Sequence, residues 1–275
     1  MREELLSVAV SAARAGGEIL LRLFGRGDLG VEEKAKNDLV SRADRESEAA
    51  IVARIRGAFP SHAILAEEGG RLSGESGVVE WIVDPLDGTT NFLRGLPVFC
   101  VSIAAVERGR PLAAVVLDPM RDDLFTATRG GGAFRGGVPL RLRDRDGLDG
   151  AVLATGFPFK AHGALDAYLA LFRDIFLEAR AIRRCGAAAL DLAYTAAGVF
   201  DGFFEFRLAP WDVAAGSLLI EEAGGVVTDL DGEERFLQGG NVLAGVPGVH
   251  RRLRAIAARH TSEAQLDRLV PAKVS

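Results

Sequence analysis

The sequence predicts a layered protein of mixed α/β (α+β) class, and three observations predict it. Residues 3–24 carry apolar side chains at helical spacing. Residues 99–142 carry short β-rich runs broken by glycine and proline, and after Asp149 strand-like and helix-like segments alternate. Alternation of this kind favours helices layered on sheets, because each element must bury its apolar face against another.

In chain order, Leu5, Leu6, Val8, Ala9, Ala12, Ala13, Ile19, Leu20 and Leu23 give the first helix one apolar face, and Gly25 stops it. A second helix is predicted from about Asp44 to Ala58, with Asp44 at or near its N-cap and Phe59-Pro60 after it. The apolar run Ala63 to Ala66 leads into Glu67-Glu68-Gly69-Gly70. Trp81-Ile82-Val83 reads as a buried strand that Pro85 ends. The runs Phe99 to Val106, Leu112 to Leu117, Leu124 to Thr128 and Val138 to Leu142 describe an antiparallel meander. Ala151 to Thr155, Gly202 to Phe206 and Val226 to Asp229 then read as strands. Leu165 to Leu177, Ala187 to Ala197 and Val213 to Ala223 read as helices, and Arg251 to Arg259 as a last surface helix before a polar tail. The shift in composition near residue 145 divides the chain into an N-terminal α+β part, 1–145, and a C-terminal α/β part, 146–275. No linker separates them, so one continuous packed body is expected.

A chain of 275 residues is long enough to bury a large core, and 48% hydrophobic with 26% charged residues excludes disordered and fibrous classes. Cys100 and Cys185 stand outside any CxxC or Cys/His pattern, which argues against a disulfide framework or a zinc site. No apolar run approaches the roughly 20 residues of a membrane span, and Glu3, Glu4, Arg14 and Glu18 interrupt the N-terminal pattern, unlike a signal peptide. A cytoplasmic protein without membrane contact is expected. A net charge of −5 supplies no field to attract nucleic acid or anionic lipid, so an anionic substrate would need a local device.

That device is suggested by Trp81 to Phe92, WIVDPLDGTTNF. A buried strand delivers Asp84, Pro85 turns the chain, and Asp87 follows three residues later before Gly88. Two carboxylates held this close repel, and a divalent cation stabilises both in the ionised form. Oxygen-only ligands favour Mg²⁺ or Mn²⁺ over zinc. Thr89, Thr90 and Asn91 are good N-cap residues whose following N–H groups make an anion pocket. Taken alone, an Asp-Pro or Asp-Gly pair is an ordinary turn, a Glu pair before Gly-Gly a solvated loop, and Asp212 or Asp44 a helix cap. Two acids, a proline, a glycine and two threonines behind one apolar strand weaken the turn reading.

These segments, with LAEEGG at Leu65 to Gly70, NDLVSRAD at Asn37 to Asp44, TGFPF at Thr155 to Phe159 and PWDVAAGSLLIEEAGG at Pro210 to Gly225, resemble the inositol monophosphatase family. The likeness runs from the first helix to about residue 245. It implies a five-layered αβαβα sandwich of the inositol monophosphatase and fructose-1,6-bisphosphatase type, forming a homodimer. It also implies a lithium-sensitive, Mg²⁺-dependent hydrolase acting on a small phosphorylated polyol. By the family pattern Glu67, Asp84, the backbone carbonyl of Leu86, Asp87 and Asp212 ligate two or three Mg²⁺ ions, with Mn²⁺ as a substitute. Asp44 and Thr89, with Glu67 close by, would orient the attacking water and help to deprotonate it. The segment from Leu86 through Asp87 to Thr89 would hold the phosphate through the N–H groups of Gly88 and Thr89. Arg183, Glu205 and Asp212 would face the alcohol. Lys34 matches the family's lysine ahead of NDLV, with Lys36 as its competitor. Ala187 and Ala209 stand where polar residues are common, making the substrate face less polar.

Within the same family, fructose 1,6-bisphosphate and histidinol phosphate are rival substrates to inositol monophosphate. A rival of another class is an accessory protein that contacts the transcription machinery or serves ribosome biogenesis, with Arg183 and Arg184 placed to make such a contact. The acidic chain argues against direct RNA binding as the main role.

Overall fold

The computed structural model describes residues 1–35, 38–75, 79–159 and 162–260. The chain opens with helix α1 (Arg2–Leu23), a hairpin of β1 (Glu32–Ala35) and β2 (Asp38–Val40), and α2 (Arg42–Ala58). Next come β3 (Ala63–Ala66), β4 (Gly70–Leu72), β5 (Glu80–Asp87) and the short α3 (Thr89–Leu93). The meander follows as β6 (Cys100–Glu107), β7 (Arg110–Asp118), β8 (Asp123–Thr128), β9 (Gly132–Arg135) and β10 (Val138–Pro139). The second half comprises β11 (Val152–Thr155), α4 (Leu165–Glu178), β12 (Ala181–Arg183), α5 (Ala188–Ala196), β13 (Gly202–Glu205), α6 (Pro210–Glu222), β14 (Val226–Thr228), α7 (Phe236–Gly239), β15 (Val242–Gly245) and α8 (Pro247–Ala257).

The N-terminal strands form an eight-stranded sheet ordered β10-β9-β8-β7-β6-β5-β3-β4, in which only the β3–β5 pair is parallel. The C-terminal strands form a five-stranded sheet ordered β12-β11-β13-β15-β14, parallel through β13 and antiparallel beyond it. Helices α1 and α2 cover the outer face of the large sheet, α5 and α6 lie between the sheets, and α4 and α8 cover the outer face of the small one. The result is the αβαβα sandwich. Val213 to Ile220 of α6 are all buried, as a helix enclosed between two sheets requires; a surface helix would keep a polar side. One apolar cluster joins Ile82, Val116 and Phe125 of the first half to Leu190, Phe203 and Leu218 of the second, so the two halves share a core.

The helix and strand positions read from periodicity recur within a few residues, apart from several short elements. The strand expected to end at Pro85 runs on to Asp87. Its ladder with β6 breaks between Asp84 and Asp87, so the missing N–H of Pro85 falls where the pairing is already interrupted. No helix among the described residues is long and apolar enough to cross a membrane.

Candidate active site

The break in β5 builds the site. Asp84 and Asp87 are 1% and 8% exposed, and the Leu86 N–H donates to Asp84 Oδ1 at 3.0 Å, bending the chain around Pro85. The third carboxylate comes from the far half of the molecule. Pro210 occupies the first turn of α6, and Asp212 Oδ2 reaches back to accept the Ala209 N–H at 2.7 Å. Asp212 is therefore in the first turn rather than at the cap. One oxygen from each of Asp84, Asp87 and Asp212 lies within 4.8 Å of the others. Glu67, whose N–H bonds the Val83 carbonyl at 3.2 Å, follows β3; its charge acts on both Asp84 and Asp87 from outside that trio.

Burial and the neighbouring acids raise the pKa values of Asp84 and Asp87. Burial, then the charges of Glu67, Asp87 and Asp212, hold Asp84 well above the ordinary carboxylate range. Burial pushes Asp87 up to about 6, opposed by backbone N–H bonds from Ala189 and Leu190 that favour its charged form. The Ala189 bond, 2.7 Å to Asp87 Oδ2, ties β5 to the start of α5. Such an oxygen-only set, costly to ionise by itself, fits a hard divalent cation, which removes the mutual repulsion.

Beside the trio, Thr89 Oγ1 lies 3.1 Å from both Asp44 Oδ1 and the Leu86 carbonyl oxygen. Asp44 stands three residues after the N-cap Ser41, and its Oδ2 accepts from the Ser41 N–H at 2.8 Å and hydroxyl at 2.7 Å. The capping box thus fixes one oxygen of Asp44 and leaves the other to Thr89. Gly88, at φ +94°, makes the turn into α3; a Cβ there would lie 2.9 Å from the Val98 carbonyl. Both the backbone angle and the space require glycine. Asn91 clamps the turn by donating to the carbonyls of Val98 and Cys185 at 2.8 and 2.9 Å.

A cavity of about 130 Å³ opens between Asp87, Asp212, Glu205 and Gly186, with Ala187 in its wall. Gly156 belongs to the same wall, and a Cβ there would come within 2.0 Å of Glu205 Oε1, so this glycine makes room for that carboxylate. Desolvation, then Asp212 and Asp191, holds Glu205 well above its usual pKa. Of the residues expected to face the alcohol, Glu205 and Asp212 line the cavity. Arg183 does not: it is exposed and donates to the neighbouring Ile182 carbonyl at 3.3 Å. Arg184 lines it instead, its guanidinium 6.0 and 5.3 Å from the ring centres of Phe157 and Phe159. Strand β12 ends at Arg183, so Arg184 is the first residue past the strand, where the chain turns toward α5. Ala209 stands just outside as the N-cap of α6. Lys36 and the side chain of Lys34 lie outside the described residues, as does the polar tail after His260.

The sequence reading missed Asp191. It sits in the Ala-rich α5, is 2% exposed, lines the cavity, and has one carboxyl oxygen, Oδ1, without a hydrogen-bond partner. Burial pushes its pKa up to about 8. An acid in an alanine-rich helix gave no signal that it faced inward.

Raised carboxyl pKa values make the native state bind more protons than the unfolded chain, so stability falls as pH rises through them. Between about pH 6.5 and 8.5, above the range in which the buried His250, lowered to about 4, titrates, the chelated protein should lose melting temperature. Mg²⁺ should restore more at the upper end than at the lower. Thermal denaturation in EDTA and in MgCl₂ checks this, and a melting temperature that rises with pH in EDTA would contradict it.

The family model described as "Inositol monophosphatase family" matches residues 1–265. A protein of Pseudomonas aeruginosa named "Nus factor SuhB" is 50% identical over 248 residues, covering 88% of this chain and 92% of that protein. The crystal structure of the extragenic suppressor protein suhB from Bartonella henselae superposes with a TM-score of 0.90 at 42% identity, covering 94% of this chain and 99% of that one. The inositol monophosphatase structure from Anabaena (Nostoc) gives a TM-score of 0.84 at 36% identity, covering 95% and 98%. With both the sequence and the layered fold matched along nearly its whole length, the chain belongs to the inositol monophosphatase family.

Proposed function

We propose that this protein is a Mg²⁺-dependent phosphate monoesterase whose preferred substrate is an inositol monophosphate, working in the cytoplasm. The observation that carries the reading is the convergence of Asp84, Asp87 and Asp212 within 4.8 Å beside the Asp44–Thr89 pair. Asp84, Asp87, Asp212, the Leu86 carbonyl and Glu67 would hold two or three metal ions. When bound, the ions lower the pKa of water and neutralise the phosphate's charge. Asp44 accepts a proton through Thr89, whose hydroxyl orients the attacking water. The N–H groups of Gly88 and Thr89 hold the phosphate oxygens, as the unpaired first amides of a helix can. Positioning and charge neutralisation carry most of phosphoryl transfer, so no side-chain nucleophile is needed.

On the alcohol side, Glu205, Asp212 and Arg184 offer hydrogen bonds, while Ala187 offers none. Recognition that rests on few polar partners discriminates weakly. Inositol 1-phosphate, glycerol 2-phosphate and a nucleoside monophosphate should then differ modestly in kcat/KM, with the inositol ester among the best. Phosphate release measured over that panel checks this. A preference of several orders of magnitude for histidinol phosphate or fructose 1,6-bisphosphate would move the substrate assignment. Lithium sensitivity belongs to the same reading, and LiCl should slow release in that assay while matched NaCl has little effect.

Leu165, Leu169, Phe176 and Leu177 of α4 are exposed at 42%, 46%, 61% and 70%, which supports pairing of two copies through this helix. Light scattering on the eluted protein should give the mass of a dimer, and a monomer at all concentrations would reject it. A second reading, an accessory role in transcription, is favoured by the relatives named Nus factor SuhB. A native pull-down that recovers RNA polymerase equally with wild type and an inactive Asp87 variant would separate that role from catalysis.

A further inference from the structure

A second groove, of about 600 Å³, lies where the large sheet meets the start of α6 and α7, with Pro210, Leu237 and Gln238 in its wall. Its floor is formed by Ala63 and Leu65 of β3, Ile82 of β5 and Val106 of β6, of which Ile82 and Val106 are largely buried. They share a face. Leu65 pairs with Ile82, and Val106 pairs with Glu80, two residues from Ile82 and therefore on the same side of β5. Arg71 of β4, paired with Leu65, adds the fourth strand, and its guanidinium forms an ion pair with Glu80 at 2.6 Å. Three strand spacings of about 4.8 Å make the groove about 14 Å long, and it runs across the strands rather than along the β4 edge. Side chains, not backbone pairing, would therefore recognise an occupant.

The two ends differ in charge. At the β6 end Arg108 holds φ +51° and Gly109 φ +77°, the geometry of a tight hairpin turn in which Asn, Asp or Gly is the usual first residue. A guanidinium-bearing residue is thus kept at a costly backbone position beside the groove. Gln238 of α7 adjoins it, its Nε2 being 3.8 Å from where a Cβ on Gly109 would sit. At the β4 end stands Glu75. Among the described residues neither Arg108 nor Glu75 is in an ion pair, so a donor end and a carboxylate end flank an apolar floor.

We propose that this groove binds an extended segment of a partner protein, about four residues long. The segment is apolar at its centre, with an acidic side chain against Arg108 and Gln238 and a basic one against Glu75. Four extended residues span at most about 14 Å, comparable to the width of the four strands that the groove crosses; a single amino acid does not. The groove is also placed to influence the catalytic carboxylates. Leu65, Ile82 and Pro210, all in its wall, each stand two residues ahead of Glu67, Asp84 and Asp212 respectively.

The test uses the full-length protein with labelled methyl groups and the capped peptide acetyl-Lys-Leu-Val-Glu-amide, with acetyl-Gln-Leu-Val-Gln-amide as its uncharged counterpart. The charged peptide should shift the Leu65, Ile82 and Val106 methyl signals. It should bind at least about tenfold tighter than the uncharged one, a difference of the size expected for charge-assisted contacts. Arg108→Glu, in an exposed turn, should remove that advantage while leaving the remaining methyl spectrum and the binding of the uncharged peptide unchanged. Unmoved signals from these three methyls, or an Arg108→Glu protein that binds the charged peptide as well as wild type, would overturn the proposal. Neither outcome depends on the phosphatase reading, because no substrate is present.

Discussion

Asp87→Asn should abolish most Mg²⁺-dependent phosphatase activity, lowering kcat by at least about a hundredfold and nearer a thousandfold, while leaving the fold intact. Asn keeps the shape and one oxygen but removes a full negative charge from a trio whose ligand atoms lie within 4.8 Å. The same change removes a carboxylate that burial has already pushed up to about 6, so the chelated variant should melt higher than chelated wild type at neutral pH. Loss of activity with gain in metal-free stability distinguishes a functional carboxylate from a structural one. The 2.7 Å bond from the Ala189 N–H to Asp87 Oδ2 still finds an acceptor if the Asn oxygen takes that place. Activity at saturating Mg²⁺ equal to wild type would eliminate the shared metal site.

The segment Trp81 to Phe92 could be read directly because its chemistry is local. An apolar strand, a proline and a glycine fix where Asp84 and Asp87 point, whatever lies elsewhere. Asp44 and Asp212 were harder to place. Taken alone, the local pattern reads each as a helix cap, whereas each stands in the first turn, three residues after the cap, with its carboxylate folded back on it. The layer order could not be read from periodicity at all. It depends on β3 pairing with β5 and β13 with β15, contacts that local patterns do not encode, and the four apolar residues of β15 are too few to separate strand from helix. Asp191 was hidden for the opposite reason. Its burial comes from α5 being enclosed between two sheets, so every side of that helix faces protein. The exchange of Arg183 for Arg184 at the cavity is a matter of one residue, at the point where β12 ends and the chain leaves the sheet toward α5.

Asp44 and Thr89 should behave as one unit in a double-mutant cycle. Thr89 Oγ1 lies 3.1 Å from Asp44 Oδ1, and the Ser41 N–H and hydroxyl hold the other oxygen, so the carboxylate has one free direction and the threonine fills it. Burial raises the pKa of Asp44, against bonds from Ser41 and Thr89 that lower it, which makes the group a better proton acceptor than a solvated carboxylate. Asp44→Asn takes away the acceptor, and Thr89→Ala takes away the hydroxyl through which it acts. Each single change should lower kcat by about a hundredfold or more, within the range of general-base catalysis, with little effect on KM. The double variant should lose little beyond the worse single one, because groups that act in one step are non-additive. Asp44→Asn also leaves a capping box that an amide can partly satisfy, so melting temperature should fall much less than activity. Losses that multiply in the double variant would mean that the two residues act independently, and the paired role in water activation would be rejected.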